Sequence, residues 1–98
     1  MNSGIAPDHL DKISALFRKH SQIREAVLFG SRAKGNYREG SDIDVALKGH
    51  QVDSRVLAEI EAEYDTLYLP WKLDLIVYET IENSDLKDHI DRVGVSIL

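Results

Sequence analysis

The chain lacks cysteine, and it has only two prolines and one tryptophan among its 98 residues. The absence of cysteine excludes disulfides and thiolate metal sites. The sequence also has no apolar run near the roughly 20 residues that a membrane-spanning helix needs, and its start does not resemble a signal peptide. We therefore expect a cytoplasmic protein that has no membrane partner.

Positive charge is also scarce. The 12 lysines and arginines are outnumbered by 17 aspartates and glutamates, which gives a net charge of -5. General nucleic-acid binding is not expected, because proteins with that function normally carry a basic face. A hydrophobic content of 43% is ordinary for a globular protein. We predict a single domain over residues 1–98, in which residues 1–6 form a loose end.

Apolar residues recur at helical spacing in three segments and in short runs in three others. The predicted helices span about 7–20, 84–93 and a segment from 54 that is broken by Pro70, and the predicted strands span 25–29, 42–48 and 72–78. Residues 95–98 are interpreted as a short strand or a tail. This order predicts an α/β fold with a small mixed sheet of three to four strands, helices on one face and the other face open.

Three aspartates interrupt the apolar strands. Asp42 and Asp44 flank Ile43, and Asp74 lies in the next strand. Residues two apart in a strand share a face with Cα atoms about 6.6 Å apart, so the first two carboxylates can converge on a pair of metal ions. If the strands are neighbours, the three acids cluster, and their mutual repulsion requires a cation such as Mg²⁺. Alternatively, Asp42 caps a turn, Asp44 is solvated and Asp74 is incidental.

The pair Gly30-Ser31 ends the first strand. Glycine permits close approach of the backbone to a ligand, and the N–H groups of the helical turn that follows suit a triphosphate. The Ser31 hydroxyl can donate to a phosphate oxygen, and Arg32 or Lys34 can add positive charge. On their own, Ser31 is equally well an ordinary helix cap and the basic residues equally well part of a solvated turn.

The remaining candidates carry less information. Tyr37 either contacts a base or acceptor or is simply a loop aromatic, and Trp71 is predicted to serve packing. The histidines have no spacing typical of metal ligands and are predicted to lie at the surface: His9, His20, His50 and His89.

Together these residues resemble the minimal nucleotidyltransferases (MNT) of the DNA polymerase β-like nucleotidyltransferase superfamily. The family pattern of Gly-Ser, ten residues and Asp-x-Asp stands as Gly30-Ser31 and Asp42-Ile43-Asp44. The run at 69–75 is similar to the strand that carries the third acid, and the run at 88–94 is similar to the C-terminal helix. The resemblance covers about residues 8–97, and it implies the polymerase β-like fold.

The resemblance implies in-line attack on the α-phosphorus of ATP with release of pyrophosphate. The residues that it assigns to catalysis and to two Mg²⁺ ions are Asp42, Asp44 and Asp74, and those that it assigns to the nucleotide are Gly30, Ser31 and Arg32. Small members of this kind often accompany an all-helical HEPN toxin and act as its antitoxin by transferring AMP to a tyrosine. The implied protein is therefore an ATP- and Mg²⁺-dependent adenylyltransferase in a toxin–antitoxin hetero-oligomer.

Two other functions remain open. The chain could be a non-catalytic antitoxin that masks its partner, whatever the state of its acids. It could also modify a small molecule of the aminoglycoside type, with a dimer mate completing the acceptor pocket. The substitution Asp44→Asn separates catalysis from masking, because only a catalytic antitoxin should lose neutralisation.

Overall fold

The structure is a computed structural model that describes residues 2–98. The helices are α1 (Pro7–Arg18), α2 (Ser31–Lys34), α3 (Ser54–Asp65) and α4 (Ser84–Val93), and the strands are β1 (Glu25–Phe29), β2 (Ile43–Lys48), β3 (Leu73–Val77) and β4 (Val95–Ser96). A 3₁₀ turn at Tyr78–Thr80 follows β3. Within residues 2–98, none of the helices combines the length and the apolar character that crossing a bilayer requires.

The four strands form one mixed sheet in the order β3-β2-β1-β4. Strand β1 is antiparallel to both β2 and β4, whereas β2 and β3 run parallel. This arrangement confirms the predicted α/β fold, and β4 supplies the short last strand that the sequence left undecided. Strand β3 is at the edge of the sheet, where β2 is its only neighbour among the described strands.

The larger core lies between one face of the sheet and helices α1 and α3. Ile43, Val45 and Leu47 alternate along β2 and are fully buried. They contact the apolar stripes of the two helices, which include Ile13 and Phe17 of α1 and Val56, Ile60 and Tyr64 of α3. The period of two along β2 therefore directs Asp44, which lies between Ile43 and Val45, to the opposite face.

That opposite face carries a second, smaller core. Val27 of β1 and Ala46 of β2 cluster with Ile90 of α4 and with Ile81. The sequence predicted an open face here, but α4 must bury its own apolar stripe, and β1 and β2 offer it apolar positions. Helix α4 therefore covers part of the face that carries the aspartates, and the site lies beside a helix.

The segment before α1 is packed against the protein. Ser3 and Ile5 expose only 2% and 7% of their surface, and the Ser3 carbonyl accepts a 2.8 Å hydrogen bond from the Arg32 guanidinium. The prediction of a loose end over residues 1–6 is therefore wrong at these two residues, while Met1 lies outside the described residues. The sequence gives little sign of this, because the acceptor is a main-chain carbonyl.

Helix α3 ends at Asp65, earlier than Pro70 alone would require, and Thr66 caps it. Residues 66–72, which we call the α3–β3 connection, then lead without regular structure into β3. Within it, Tyr68 has a φ of 52°, and no other described residue except glycine has a positive φ. Positive φ is uncommon for a residue with a bulky side chain.

Candidate active site

The parallel pairing of β2 and β3 brings two aspartates side by side. Asp44 is the register partner of Asp74, and the strands of a sheet lie about 4.8 Å apart. Asp44 is half-buried, whereas Asp74 is exposed at the edge strand, and the exposed Asp42 directly precedes β2. The structure therefore places Asp74 beside Asp44, with Asp42 two residues before Asp44, while metal binding by these acids stays a prediction.

The cluster is electrostatically unfavourable as it stands. Burial raises the pKa of the Asp44 carboxyl, and the negative charges of Asp74 and Asp42 raise this pKa further. The nearby His89 acts in the opposite direction and lowers it, but by less. The folded chain thus holds a partly desolvated carboxylate among like charges, an arrangement that a bound cation would relieve.

Gly30 is placed directly against this cluster. Its φ is +75°, and a Cβ atom at this position would lie 2.5 Å from the Asp44 Oδ2 atom. The preceding residue, Phe29, is the register partner of Asp44 in the antiparallel pair of β1 and β2. Only glycine tolerates both the backbone angle and the contact, so the turn from β1 into α2 can approach the acids closely.

His89 of α4 completes the surroundings of the turn. Its Nε2 atom accepts a 3.1 Å hydrogen bond from the Gly30 N–H, and its ring meets the Phe29 ring edge-on at 6.2 Å. The sequence predicted a surface position, which is wrong: His89 is half-buried beside the candidate site. Helical spacing could have indicated this, because position 89 lies on the stripe formed by Leu86, Ile90 and Val93.

The comparison with known families agrees with this geometry. Residues 11–98 match the family described as polymerase beta, nucleotidyltransferase. The chain belongs to this family. Residues 11–98 therefore form a polymerase β-type nucleotidyltransferase domain.

Two proteins of Methanocaldococcus jannaschii resemble the chain in sequence. One, named "Putative protein adenylyltransferase MJ1379", is 33% identical, and the match covers 84% of this chain and 91% of the relative. The other, named "Putative protein adenylyltransferase MJ0141", is 29% identical over 78% of this chain and 80% of the relative. The sequence similarity to these two relatives therefore extends over most of the length of this chain and of each relative.

Chains in two solved structures of toxin–antitoxin complexes have a related shape. A chain in a crystal structure of a toxin–antitoxin with AMP-PNP has a TM-score of 0.74 and 23% identity, covering 91% of this chain and 72% of that one. A chain in the complex of the tri-AMPylated Shewanella oneidensis HEPN toxin with its MNT antitoxin has a TM-score of 0.67 and 21% identity, covering 91% and 68%. At this level of identity the likeness shows the polymerase β-type fold.

Ser31 and Arg32 begin α2, but their surroundings differ. Ser31 is half-buried at the first position of the helix, and the structure shows no cap formed by a side chain there. The Arg32 guanidinium is buried and donates to the carbonyls of Ser3, Ser41 and Glu39 at 2.8, 3.0 and 3.2 Å. Its role in nucleotide binding stays a prediction, and the structure gives it a second role as the anchor of two main-chain segments.

Two aromatic residues, Tyr37 and Trp71, also contact Arg32. The guanidinium carbon lies 5.1 Å from the Tyr37 ring centre and 5.3 Å from that of Trp71. Trp71 packs against the larger core, as predicted. His9 and His20 are half-buried, against the prediction, and only His50 is exposed. His9 lies edge-on to Trp71, and His20 contacts Glu63 at 3.1 Å, so both serve packing between elements.

The donors of the cluster fit Mg²⁺ in their chemistry. Carboxylate oxygens are its preferred protein ligands, and Mg²⁺ in nucleotide-dependent enzymes is held by one or two carboxylates together with substrate phosphates. Within residues 2–98, no group of three or more aspartate, glutamate or histidine side chains is placed to hold a metal ion. Asp42, Asp44 and Asp74 therefore do not form a metal site by themselves, and further ligands, such as the phosphates of a bound substrate, would be needed.

Proposed function

We propose that this polymerase β-type nucleotidyltransferase transfers AMP from ATP to a hydroxyl of a partner protein. The acceptor in this proposal is a tyrosine of a HEPN-type all-helical toxin, and the chain acts as the antitoxin. The single observation that carries the proposal is the Asp44–Asp74 pair in register on parallel strands, directly against the Gly30 turn. The M. jannaschii relatives support a protein substrate, and the toxin–antitoxin complexes of similar fold support the kind of partner.

The transfer is a displacement at phosphorus. The acceptor oxygen forms a bond to the α-phosphorus of ATP, the bond from that phosphorus to the bridging oxygen breaks, and pyrophosphate leaves. In this proposal the hydroxyl proton passes to the Asp74 carboxylate, which is exposed at the sheet edge and therefore accessible to a protein acceptor. The triphosphate would be held by the N–H groups that follow Gly30 and by the Ser31 hydroxyl, since the Gly30 N–H itself donates to His89.

The three aspartates are proposed to bind the metal ions. Asp42, Asp44 and Asp74 would hold two Mg²⁺ ions, which supply charge stabilisation to the attacking and leaving oxygens. Asp44 occupies the centre, because it contacts the Gly30 turn on one side and pairs with Asp74 on the other. Its desolvation strengthens its attraction for a cation, since water screens a half-buried charge less than an exposed one.

Labelled ATP tests the proposal. The chain is incubated with Mg²⁺, the HEPN-type protein of the adjacent gene, and ATP labelled in either the α- or the γ-phosphate. We expect α-label, but not γ-label, on the partner, and mass spectrometry should place AMP on a tyrosine. Label that appears only on RNA or on an aminoglycoside would contradict a protein acceptor.

Gly30→Ala tests the close approach at the centre of the site. The positive φ should lower stability by about 1–2 kcal/mol, and the new methyl group should displace the Asp44 carboxylate that lies 2.5 Å from its position. Because displacement of a reacting group by about 1 Å can lower a rate about 100-fold, we expect AMP transfer to fall by about that factor. Thermal melting and initial rates with saturating ATP measure the two effects.

Gly35→Ala is a matched control for this prediction. Gly35 also has a positive φ, of +85°, but no atom lies within 4 Å of its added Cβ. It should therefore lose stability like Gly30→Ala but retain most of its activity. Equal loss of activity in both variants would show that backbone strain alone accounts for the effect, and that the contact with Asp44 is unimportant.

A further inference from the structure

A cavity of about 500 Å³ lies beside the α3–β3 connection. Its lining includes the aromatic residues Tyr64, Tyr68 and Trp71 and the acidic residues Glu61 and Asp65, with Lys72 as a cation. The Tyr64 hydroxyl donates a 2.6 Å hydrogen bond to the Trp71 carbonyl, so the end of α3 and the connection are tied together. The cavity is therefore preformed in the chain and does not require a partner to create it.

Tyr68 stands out at the rim of this cavity. It exposes 92% of its surface, and the one other large hydrophobic residue in residues 2–98 with an exposed side chain is Leu98, at 40%. Its backbone also has a positive φ of 52°, a conformation that glycine adopts more readily. Tyr68 thus contributes almost no burial to the folded chain and holds an unfavourable backbone angle.

The charges at the end of α3 are also unfavourable for the isolated chain. Glu61 and Asp65 are four residues apart, so they form a like-charged pair on one helix face. Asp65 is the last residue of α3, and the last turn contains no basic residue to balance the negative end of the helix dipole. A cation from outside would relieve both the pair and the dipole.

The cavity and the acid cluster meet at the start of β3. Leu73 lines the cavity, and the next residue, Asp74, points to the opposite face of the sheet. Strand β3 is the edge strand, so a protein that covers its beginning reaches both faces. An acceptor bound at the cavity would therefore have surface next to Asp74.

We propose that this cavity is the docking site for the acceptor protein and that it receives an arginine or lysine of that protein between the acidic end of α3 and the Tyr68 ring. The proposal rests on the proposed function, since the occupant is the HEPN-type partner. Charge complementarity selects a basic side chain, and aromatic residues paired with arginine are frequent centres of binding energy in protein interfaces.

Two substitutions test the docking site without harming the fold. Tyr68→Gly removes the ring and suits the positive φ, and Asp65→Lys balances the helix dipole, so both should keep or raise the melting temperature. We nevertheless expect each to raise the KM for the acceptor protein about tenfold or more, with the KM for ATP unchanged. A merely structural role could not produce weaker docking together with equal or higher stability.

Control variants distinguish the effect of the Tyr68 ring from that of its hydroxyl, and the effect of a charge change at the docking site from the same change elsewhere. Tyr68→Phe keeps the ring and should stay within about twofold of the wild-type chain, and Asp11→Lys places the same charge change on the exposed face of α1. The wild-type KM for the acceptor should rise with salt, and Asp65→Lys should weaken that dependence. An unchanged acceptor KM in both Tyr68→Gly and Asp65→Lys would overturn the proposal.

Calorimetry of the two proteins without ATP distinguishes docking from catalysis. If the wild-type chain binds the HEPN-type protein but transfers no AMP, the proposed function fails, and weaker binding by the two variants still supports the docking site. If the wild-type chain neither binds nor modifies that protein, the docking proposal falls together with the function.

Discussion

Asp44→Asn is expected to abolish AMP transfer and, at the same time, to raise the melting temperature of the protein without nucleotide or metal. In the proposed mechanism Asp44 holds Mg²⁺, and its removal should cost several kcal/mol of transition-state stabilisation, so the rate should fall by about 10³-fold or more. The amide keeps the shape of the side chain but carries no charge. It therefore removes the repulsion from Asp74 and Asp42 that raises the pKa of Asp44.

The sign of the stability effect follows from the direction of that pKa. Because folding raises the pKa of Asp44 above its ordinary value of 3.8, the ionised carboxylate opposes folding. Its unfavourable contribution is absent well below pH 3.8, develops as the pH rises from 3.8 to the raised pKa of the folded state, and is complete above that pKa. The advantage of the asparagine variant should therefore be present at pH 7 and vanish in acid.

The size of the effect is limited by solvent. Neutralising an unfavourable charge at a functional site typically stabilises by about 0.5–2 kcal/mol, and the open site favours the lower half of that range. For a domain of this size, the melting temperature should rise by about 2–10 °C. Asp11→Asn, at an exposed position on α1, is the matched control and should change neither activity nor stability.

Magnesium and nucleotide should reverse the order of stability. Together they should stabilise the wild-type chain through binding to the native state, and they should stabilise Asp44→Asn much less. In cells, Asp44→Asn should then fail to neutralise the HEPN partner. Full neutralisation by this variant would show that the chain acts by masking its partner, which was the second function left open by the sequence.

The acid cluster could be predicted from the sequence because it depends mainly on residues that are close together in the chain. In the predicted strand 42–48, alternation puts Asp42 and Asp44 on one face, and Ile43 and Val45 identify the face that is buried. The pairing of Asp44 with Asp74 needed one further assumption, that the two strands are neighbours, and the connection through α3 makes a parallel neighbour the common arrangement.

The contacts around the cluster could not be predicted in the same way, because they join distant positions. The hydrogen bond from Gly30 to His89 joins residues that are 59 positions apart. It can form only because α4 covers the face of the sheet on which the Gly30 turn lies. The carbonyl of Ser3 that binds Arg32 has no side-chain signature at all, since every residue carries a carbonyl. Motif spacing thus predicts the candidate site residues, whereas the residues that contact and position them depend on tertiary packing.

Arg32→Lys is expected to destabilise the chain strongly although it preserves the charge. Arg32 is only 1% exposed, and the planar fork of its guanidinium reaches three separate carbonyls, which one ammonium group cannot satisfy together. Hydrogen bonds that involve a charged group contribute about 1.5–3 kcal/mol each, so the loss of two corresponds to about 3–6 kcal/mol. That is a large part of the total stability of a small domain, which is about 5–15 kcal/mol.

Arg32→Lys should also disturb the candidate active site, through the loop that precedes Asp42. Two of the three acceptors, the carbonyls of Glu39 and Ser41, lie in the loop that leads directly into Asp42. When they lose their donor, Asp42 should lose its fixed position, so AMP transfer should fall even at temperatures where the variant remains folded. Circular-dichroism melting and rates at low temperature measure both effects.

Arg38→Lys provides the comparison, because Arg38 is exposed in the same loop and its replacement should leave stability and rate nearly unchanged. A direct contact between Arg32 and ATP predicts a different pattern for Arg32→Lys, namely weaker nucleotide binding at an unchanged melting temperature. A melting temperature that falls before any nucleotide is added therefore assigns Arg32 to the support of the loop, because only that role depends on the three carbonyls in the nucleotide-free protein.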